Sequence, residues 1–198
     1  MDSRLLTLRK KAKERGEPIL RDKSFDLLIK TVGEKQPKTI LEIGTNEGLS
    51  GIAMLLTSEK ARLTGVEIDE EKALHAQKNY RDFKVDERAK IFLGDASEIV
   101  PMLSAKYDFI FLDGPKGHYG EYAESLLSAL NIGGVLFADN VLYRGYVGKD
   151  KTASHRHATI KHGMEKFLER ITTDESLKTT VYDIEDGVSV TEKLYEKD

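Results

Sequence analysis

The chain has 198 residues, with Lys+Arg 31 against Asp+Glu 34 and a net charge of −3. That balance excludes a wholly basic nucleic-acid coat while leaving room for a local basic patch. Hydrophobic residues at 39% and charged residues at 33% describe a globular chain rather than a disordered one. Cysteine is absent, which excludes disulfides, thiolate metal sites and a thiol nucleophile. The first residues, MDSRLLTLRKK, hold no apolar signal stretch. The uncharged run from Gly48 to Ser58 falls far short of the ~20 residues that span a bilayer. The expectation is a cytoplasmic protein with no membrane contact and, at this length, a single domain over residues 1–198.

Two helices, about Arg4–Arg15 and Lys23–Gly33, open the chain as an N-terminal helical extension over residues 1–35. Strand and helix patterns then alternate. Lys38–Ile43 (KTILEI) is a β-branched strand that ends at Gly44, and Leu49–Leu56 reads as helix. Arg62–Ile68 is a second strand and Glu70–Arg81 a helix; Lys90–Leu93 is a third strand, followed by a helix from about Ala96 to Leu103. Tyr107–Leu112 (YDFIFL) is a fourth strand, Tyr119–Leu130 a helix and Gly134–Ala138 a fifth strand. The near-continuous apolar character of the fourth and fifth runs predicts strands covered on both faces. The alternation predicts right-handed βαβ units and a parallel sheet. Ile160, Met164, Phe167, Leu168 and Ile171 then stand at helical spacing. Finally Thr179–Ile184 and Val188–Leu194 flank Glu185-Asp186-Gly187, a hairpin signal that ends the sheet in an antiparallel pair. The fold class is α/β and doubly wound.

In such sheets ligands bind beyond the carboxyl ends of the strands, where strand order reverses. The first strand runs into Gly44-Thr45-Asn46-Glu47-Gly48, a G-x-x-x-G turn without the middle glycine of the dinucleotide fingerprint G-x-G-x-x-G. That favours a nucleoside ligand lacking a pyrophosphate over a nicotinamide dinucleotide. Glu67 ends the second strand, 23 residues after Gly44, where a carboxylate can accept both ribose hydroxyls. Together these suggest an adenosine-containing cofactor. Asp95, after the third strand, is placed to meet the adenine edge, to cap the next helix, or both.

The fourth strand ends Asp113-Gly114-Pro115-Lys116 and the fifth ends Asp139-Asn140. Both ends belong on the carboxyl side of the sheet, so two carboxylates and an amide converge. Carboxylates that close repel, and one must protonate unless a cation joins them. Oxygen-only donors favour a hard ion such as Mg2+. Lys116, three residues past Asp113, is placed to take a proton from a hydroxyl acidified by such an ion. The alternative is that Asp113 caps a helix, Asp139-Asn140 forms an ordinary turn and Lys116 is a surface lysine.

With these motifs in view, the sequence resembles the cation-dependent, S-adenosylmethionine-dependent O-methyltransferases of the catechol and caffeoyl-CoA type. The motifs are LEIGTNEGLS, GVEIDEE, GDASE, FLDGPKGHY and ADNVLYRG, and the likeness runs from about Pro18 to Leu194. Within that family the chain is most similar to bacterial tRNA 5-hydroxyuridine methyltransferases, through KQPKTILEIGT and the basic segment after Asn140. The resemblance implies a Rossmann-like class I methyltransferase sheet of seven strands, one of them antiparallel. It implies that Glu42, Gly44 and Ser50 line the methionine end of S-adenosylmethionine, that Glu67 holds the ribose, and that Asp95 with Ala96 holds the adenine. Asp113, Asp139 and Asn140 would bind Mg2+, with Asp113 also near the cofactor, and Lys116 would be the general base. Family members use the N-terminal extension for dimer contacts, so a homodimer is expected, although the extension here is shorter than in many relatives. Leu49 stands where an aromatic is frequent, and His118 receives no role.

The implied chemistry is methyl transfer to a hydroxyl beside a second oxygen, which both a catechol and a 5-hydroxyuracil offer. Two basic sets favour the tRNA. Arg4, Arg9, Lys10, Lys11, Lys13 and Arg15 crowd the first helix, and Arg144, Lys149, Lys151, His155, Arg156, His157, Lys161 and His162 follow Asn140. A basic rim of this kind suits phosphates. A small-molecule catechol-type O-methyltransferase, a nicotinamide-dependent oxidoreductase and a non-catalytic RNA-binding relative are the competing readings; the missing middle glycine and the Asp113, Asp139 and Asn140 set speak against the second, and Lys116 with Asp113 against the third.

Overall fold

The strand Tyr107–Leu112 (β4) sends Phe109 and Phe111 to one apolar layer and Ile110 and Leu112 to the other. Such a strand needs cover on both faces, which a parallel sheet flanked by helices provides. Thr39–Ile43 (β1) and Leu130–Asp139 (β5) lie on its two sides, both parallel to it. The other strands are Arg62–Glu67 (β2), Ala89–Leu93 (β3), Leu177–Tyr182 (β6) and Val188–Lys193 (β7). The seven form one sheet in the order β3-β2-β1-β4-β5-β7-β6. Only β7 runs against the rest, pairing antiparallel with both β5 and β6. The computed structural model describes residues 2–145, 147 and 155–197, though not the side chains of Arg144, His155 and Arg156.

One layer of helices comprises Ser3–Glu14 (α1), Asp22–Lys35 (α2), Leu49–Thr57 (α3) and Glu70–Asp82 (α4). Their Leu5, Leu28, Ile52 and Tyr80 share a core with Phe109 and Phe137. Leu5 and Leu28 are fully buried, so the N-terminal extension is part of this core. The opposite layer comprises Ala96–Met102 (α5), Tyr119–Ala129 (α6) and His155–Thr173 (α7), with Val100, Leu126 and Phe167 packed on Ile110 and Leu112. Among the described residues no helix is long and apolar enough to cross a membrane.

Sheet register places the site. Ile43 is level with Val66 on one side and Leu112 on the other, and Leu112 is level with Ala138. Gly44, Glu67, Asp113 and Asp139 therefore leave four adjacent strands at one height, around the reversal of strand order between β1 and β4.

The structure moves two boundaries. β5 begins at Leu130 rather than Gly134, because Leu130 pairs with Tyr107 and the ladder then shifts register before Phe109. Gly133, at φ +75°, takes up that shift. β6 runs from Leu177 to Tyr182 rather than from Thr179 to Ile184, and its earlier end makes the hairpin tip longer. That tip docks on α2: Glu185 accepts hydrogen bonds from the backbone N–H of Lys23 (3.2 Å) and of Ser24 (3.0 Å). It satisfies helix-end donors that the N-cap residue Arg21 leaves open. The tip also holds the loop after β5, whose Val141 and Leu142 N–H groups donate to Gly187 and Asp186 carbonyls at 3.0 and 2.9 Å.

Candidate active site

A cavity of about 520 Å³ opens at the carboxyl edge of the sheet, within the usual range for a small-molecule site. Gly44 lines it with φ +87°. Toward β2 and β3 the wall is Glu67, Asp95 and Ala96; toward β5 it is Asp113, Lys116, Asp139 and Asn140. The structure thus brings eight of the sequence-derived positions to one cavity.

Glu67 is buried, and its carboxylate accepts from the backbone N–H of Asn46 (2.6 Å), Ile68 (2.9 Å) and Asp69 (3.0 Å). These amides fix a carboxylate at the strand end on the cavity wall, where lone pairs they leave unused are able to accept from hydroxyl donors. Asp95 is both things the sequence allows: a helix cap that accepts from Ser97 N–H at 2.8 Å, and a cavity-lining residue. Its bonds from Ser97 hold its carboxyl below the usual range. Ser50 lies on a side pocket next to the main cavity. Glu42 is not brought to the wall of either. It is fully buried beneath the glycine turn, where the Tyr80 hydroxyl donates to its Oε2 at 3.4 Å.

At the other end, burial raises the Asp113 carboxyl well above its ordinary value, facing Asp139 raises it further, and Lys116 opposes the shift. Burial raises Asp139 likewise, against the nearby polar groups of Ser24 and the Asn140 backbone and the charges of Lys116 and Arg21. Asp139 Oδ1 is buried without a hydrogen-bond partner. Two carboxylates with an orphaned oxygen, flanked by the amide of Asn140, match the oxygen donor set of a hard divalent ion. Among the described residues no three His, Cys, Asp or Glu side chains gather at one point, so such an ion would rest on two carboxylates, the amide and its own waters.

The sequence model of the O-methyltransferase family matches residues 5–194. The chain belongs to that family. A catechol O-methyltransferase of Niastella koreensis is 37% identical over 117 residues, 57% of this chain and 53% of that one. A Staphylococcus aureus structure, provisionally named a caffeoyl-CoA O-methyltransferase, superposes with a TM-score of 0.88 at 26% identity, covering 97% of this chain and 93% of that one. A Bacillus cereus O-methyltransferase solved in complex with SAH shares the fold with a TM-score of 0.85 at 24% identity, covering 96% and 90%. The architecture is the class I methyltransferase fold.

Parts of this O-methyltransferase's site have no signal in the sequence. Pro18, Ile19 and Arg21, from the segment joining α1 to α2, roof the cavity, and Arg21 pairs with Asp186 of the hairpin tip. The roof is tied down by Asn46 Nδ2 donating to the Pro18 carbonyl at 2.8 Å, and by Arg15 reaching both oxygens of Glu47 at 2.9 and 2.7 Å. Tyr122 and Tyr143 complete the wall. His118 gains a role in packing: Nδ1 meets Glu121 at 2.7 Å, and its ring stacks on Tyr122 at 6.0 Å. Of the basic rim, Lys149 and Lys151 and the side chains of Arg144 and Arg156 lie outside the described residues, while Lys161 pairs with Glu165 at 3.7 Å. Arg9, counted with the basic set of the first helix, is buried and so is no part of a basic rim.

Proposed function

We propose that this O-methyltransferase moves a methyl group from S-adenosylmethionine, with the help of a divalent cation, to a hydroxyl adjacent to a second oxygen, and that its acceptor is a 5-hydroxyuridine of tRNA. The observation that carries the chemistry is the convergence of Asp113, Lys116, Asp139 and Asn140 on the cavity that also holds Gly44 and Glu67. When bound, the cofactor supplies an electrophilic methyl group on a sulfonium, and a divalent ion supplies the charge that gathers two adjacent oxygens and acidifies the hydroxyl.

The chain's own residues do the rest. Glu67 receives the ribose hydroxyls, Asp95 and Ala96 border the base, and Gly44 lets the ligand approach the backbone. Asp113, Asp139 and Asn140 hold the cation, and holding both reactants in one cavity lowers the entropic part of the barrier. Lys116 takes the proton of the attacking hydroxyl at Nζ. The tRNA acceptor is supported by the likeness to 5-hydroxyuridine methyltransferases and by the basic segment that starts directly after Asn140.

Methyl transfer to hypomodified tRNA and to a simple catechol, each with and without chelator, tests the proposal. Labelled tRNA that declines with salt and with chelator is the expected result. Efficient methylation of the catechol with none of tRNA replaces the acceptor, and full activity in excess chelator overturns the metal role.

A further inference from the structure

The main cavity continues past Asp139, away from Glu67 and Asp95, to a pair of opposite charges that the proposed methyl transfer leaves unused. In the sheet order β7 follows β5, so the turn before β7 borders this end. Asp186 lines the cavity from that turn and Arg21 from the start of α2, and the two form an ion pair. Asp139 is in register with Val188, and the Leu142 N–H donates to the Asp186 carbonyl at 2.9 Å. Asp186 therefore stands beside the chain just beyond Asn140. Arg21 is near enough for its charge to act on Asp139.

The backbone on both sides of the pair is fixed. Glu185 accepts from the Ser24 hydroxyl at 2.8 Å as well as from the first amides of α2. A Cβ on Gly187, at φ +83°, would collide with the Leu142 side chain. Hairpin tip, start of α2 and the loop after Asn140 thus make one prearranged wall. Arg21 reaches Asp186 Oδ2 through Nη2; among the described residues the guanidinium hydrogen-bonds nothing else, and Asp186 Oδ1 accepts nothing. The pair offers a ligand one free acceptor with free donors beside it. Among the described residues no three His, Cys, Asp or Glu gather as a metal site, so Asp186 stands apart from Asp113 and Asp139. An ion pair with Arg21 half-exposed adds little stability, so folding gives it small reason to occupy a cavity wall.

We propose that Arg21 and Asp186 read the base edge of the acceptor, Asp186 accepting from N3–H of a uracil ring and Arg21 donating to its O2. The inference rests on the tRNA acceptor proposed above. A 5-hydroxyuracil that turns O4 and its 5-hydroxyl toward Asp139 and Asn140 carries N3–H next to O4, and O2 beyond it. The wall matches that order: Asp186 is tied to the loop after Asn140 and is the more buried, while Arg21 lies in the more exposed roof. A catechol has no such edge. A cytosine turns a lone pair at N3 toward the Asp186 carboxylate, which repels it. The pair thus selects uridine among bases that carry a 5-hydroxyl.

Two anticodon stem-loop RNAs, identical except for 5-hydroxyuridine or 5-hydroxycytidine at the acceptor position, test this. Asp186→Asn keeps the shape, but its amide turns the carbonyl to Arg21 and the NH2 to the base, an edge suited to cytosine. The uridine-to-cytidine ratio of kcat/KM therefore falls by about tenfold or more relative to wild type. Poorer cation binding by the cytosine amino group is common to both proteins and cancels in that comparison. Arg21→Met lowers kcat/KM about tenfold on both RNAs, because O2 is common to the two bases. It leaves the salt dependence of RNA binding unchanged, because that carbonyl is neutral. S-adenosylhomocysteine binding at wild-type affinity reports that each variant is folded. A folded Asp186→Asn with the wild-type ratio overturns the inference. So does an Arg21→Met that flattens the salt dependence by about one charge, which assigns Arg21 to a phosphate. Both results leave the tRNA acceptor standing. A wild type that methylates a catechol and neither RNA overturns the acceptor and this inference with it.

Discussion

Gly44 and Asp113 meet backbone to backbone across the reversal of strand order. A Cβ built on Gly44 would run into the carbonyl oxygen of Asp113 and stand 3.0 Å from its carbonyl carbon. With φ at +87°, Gly44 is also in a conformation that side-chain-bearing residues avoid. The contact ties the glycine turn to the loop that carries Asp113 and Lys116. Gly44→Ala is therefore expected to destabilise the protein by about 2–4 kcal/mol and to abolish S-adenosylhomocysteine binding. Thermal unfolding with and without ligand measures both; a variant that still shows the wild-type ligand-induced shift would mean the two loops move independently.

Asp113 and Asp139 are raised carboxylates that face each other, so a cation held between them would do what protonation otherwise must. Asp139→Asn keeps the shape and removes one charge. In chelator its Tm should exceed wild type by about 3–8 °C, because a repulsive buried pair is gone. Added Mg2+ should raise the wild-type Tm and leave that of the variant unchanged. An identical Mg2+ response in both proteins would place the ion elsewhere.

Lys116 lies on the loop between β4 and α6, and that loop is clamped by α7. A Cβ on Gly163 would stand 3.1 Å from the Gly117 carbonyl carbon, so helix and loop come backbone to backbone where these two glycines face each other. Lys116→Met keeps the stem in this packed setting and removes the amine proposed as the proton acceptor. Its kcat should fall by about 10²–10⁴ with KM little changed. A fall in kcat/KM that lies wholly in KM would make Lys116 a binding residue instead.

How far the sequence reached can be judged from particular residues. YDFIFL placed β4 and its two apolar faces, because alternation to two cores needs no long-range information. The carboxyl-edge residues were legible for the same reason: in a parallel sheet, strand ends alone decide which loops meet. Arg9 was not. On the helix it belongs to a basic run with Lys10 and Lys11, and only tertiary packing, against Phe25 of α2 and the Leu20 carbonyl, buries it. Arg21 and Asp186 meet across 165 positions, a separation that no local pattern encodes. Gly133 and Gly134 read as a strand boundary, yet they serve a register shift inside β5.

Glu42 gives the site a pH-dependent stability. Burial lifts its carboxyl to about 8; the Tyr80 hydroxyl opposes this, and the charges of Asp113 and Glu67 add to it. A carboxyl raised in the folded state binds its proton more tightly there than in the unfolded chain. Stability is then fully retained below the unfolded value near 4.3 and falls as pH rises toward the folded one. Glu42→Gln mimics the protonated form and does not titrate, so its advantage over wild type should be small at pH 5 and grow to the order of a few kcal/mol by pH 8. Thermal unfolding of both proteins across that interval measures the difference. Parallel curves would show that Glu42 stays ionised under the glycine turn, with its charge balanced by something other than Tyr80.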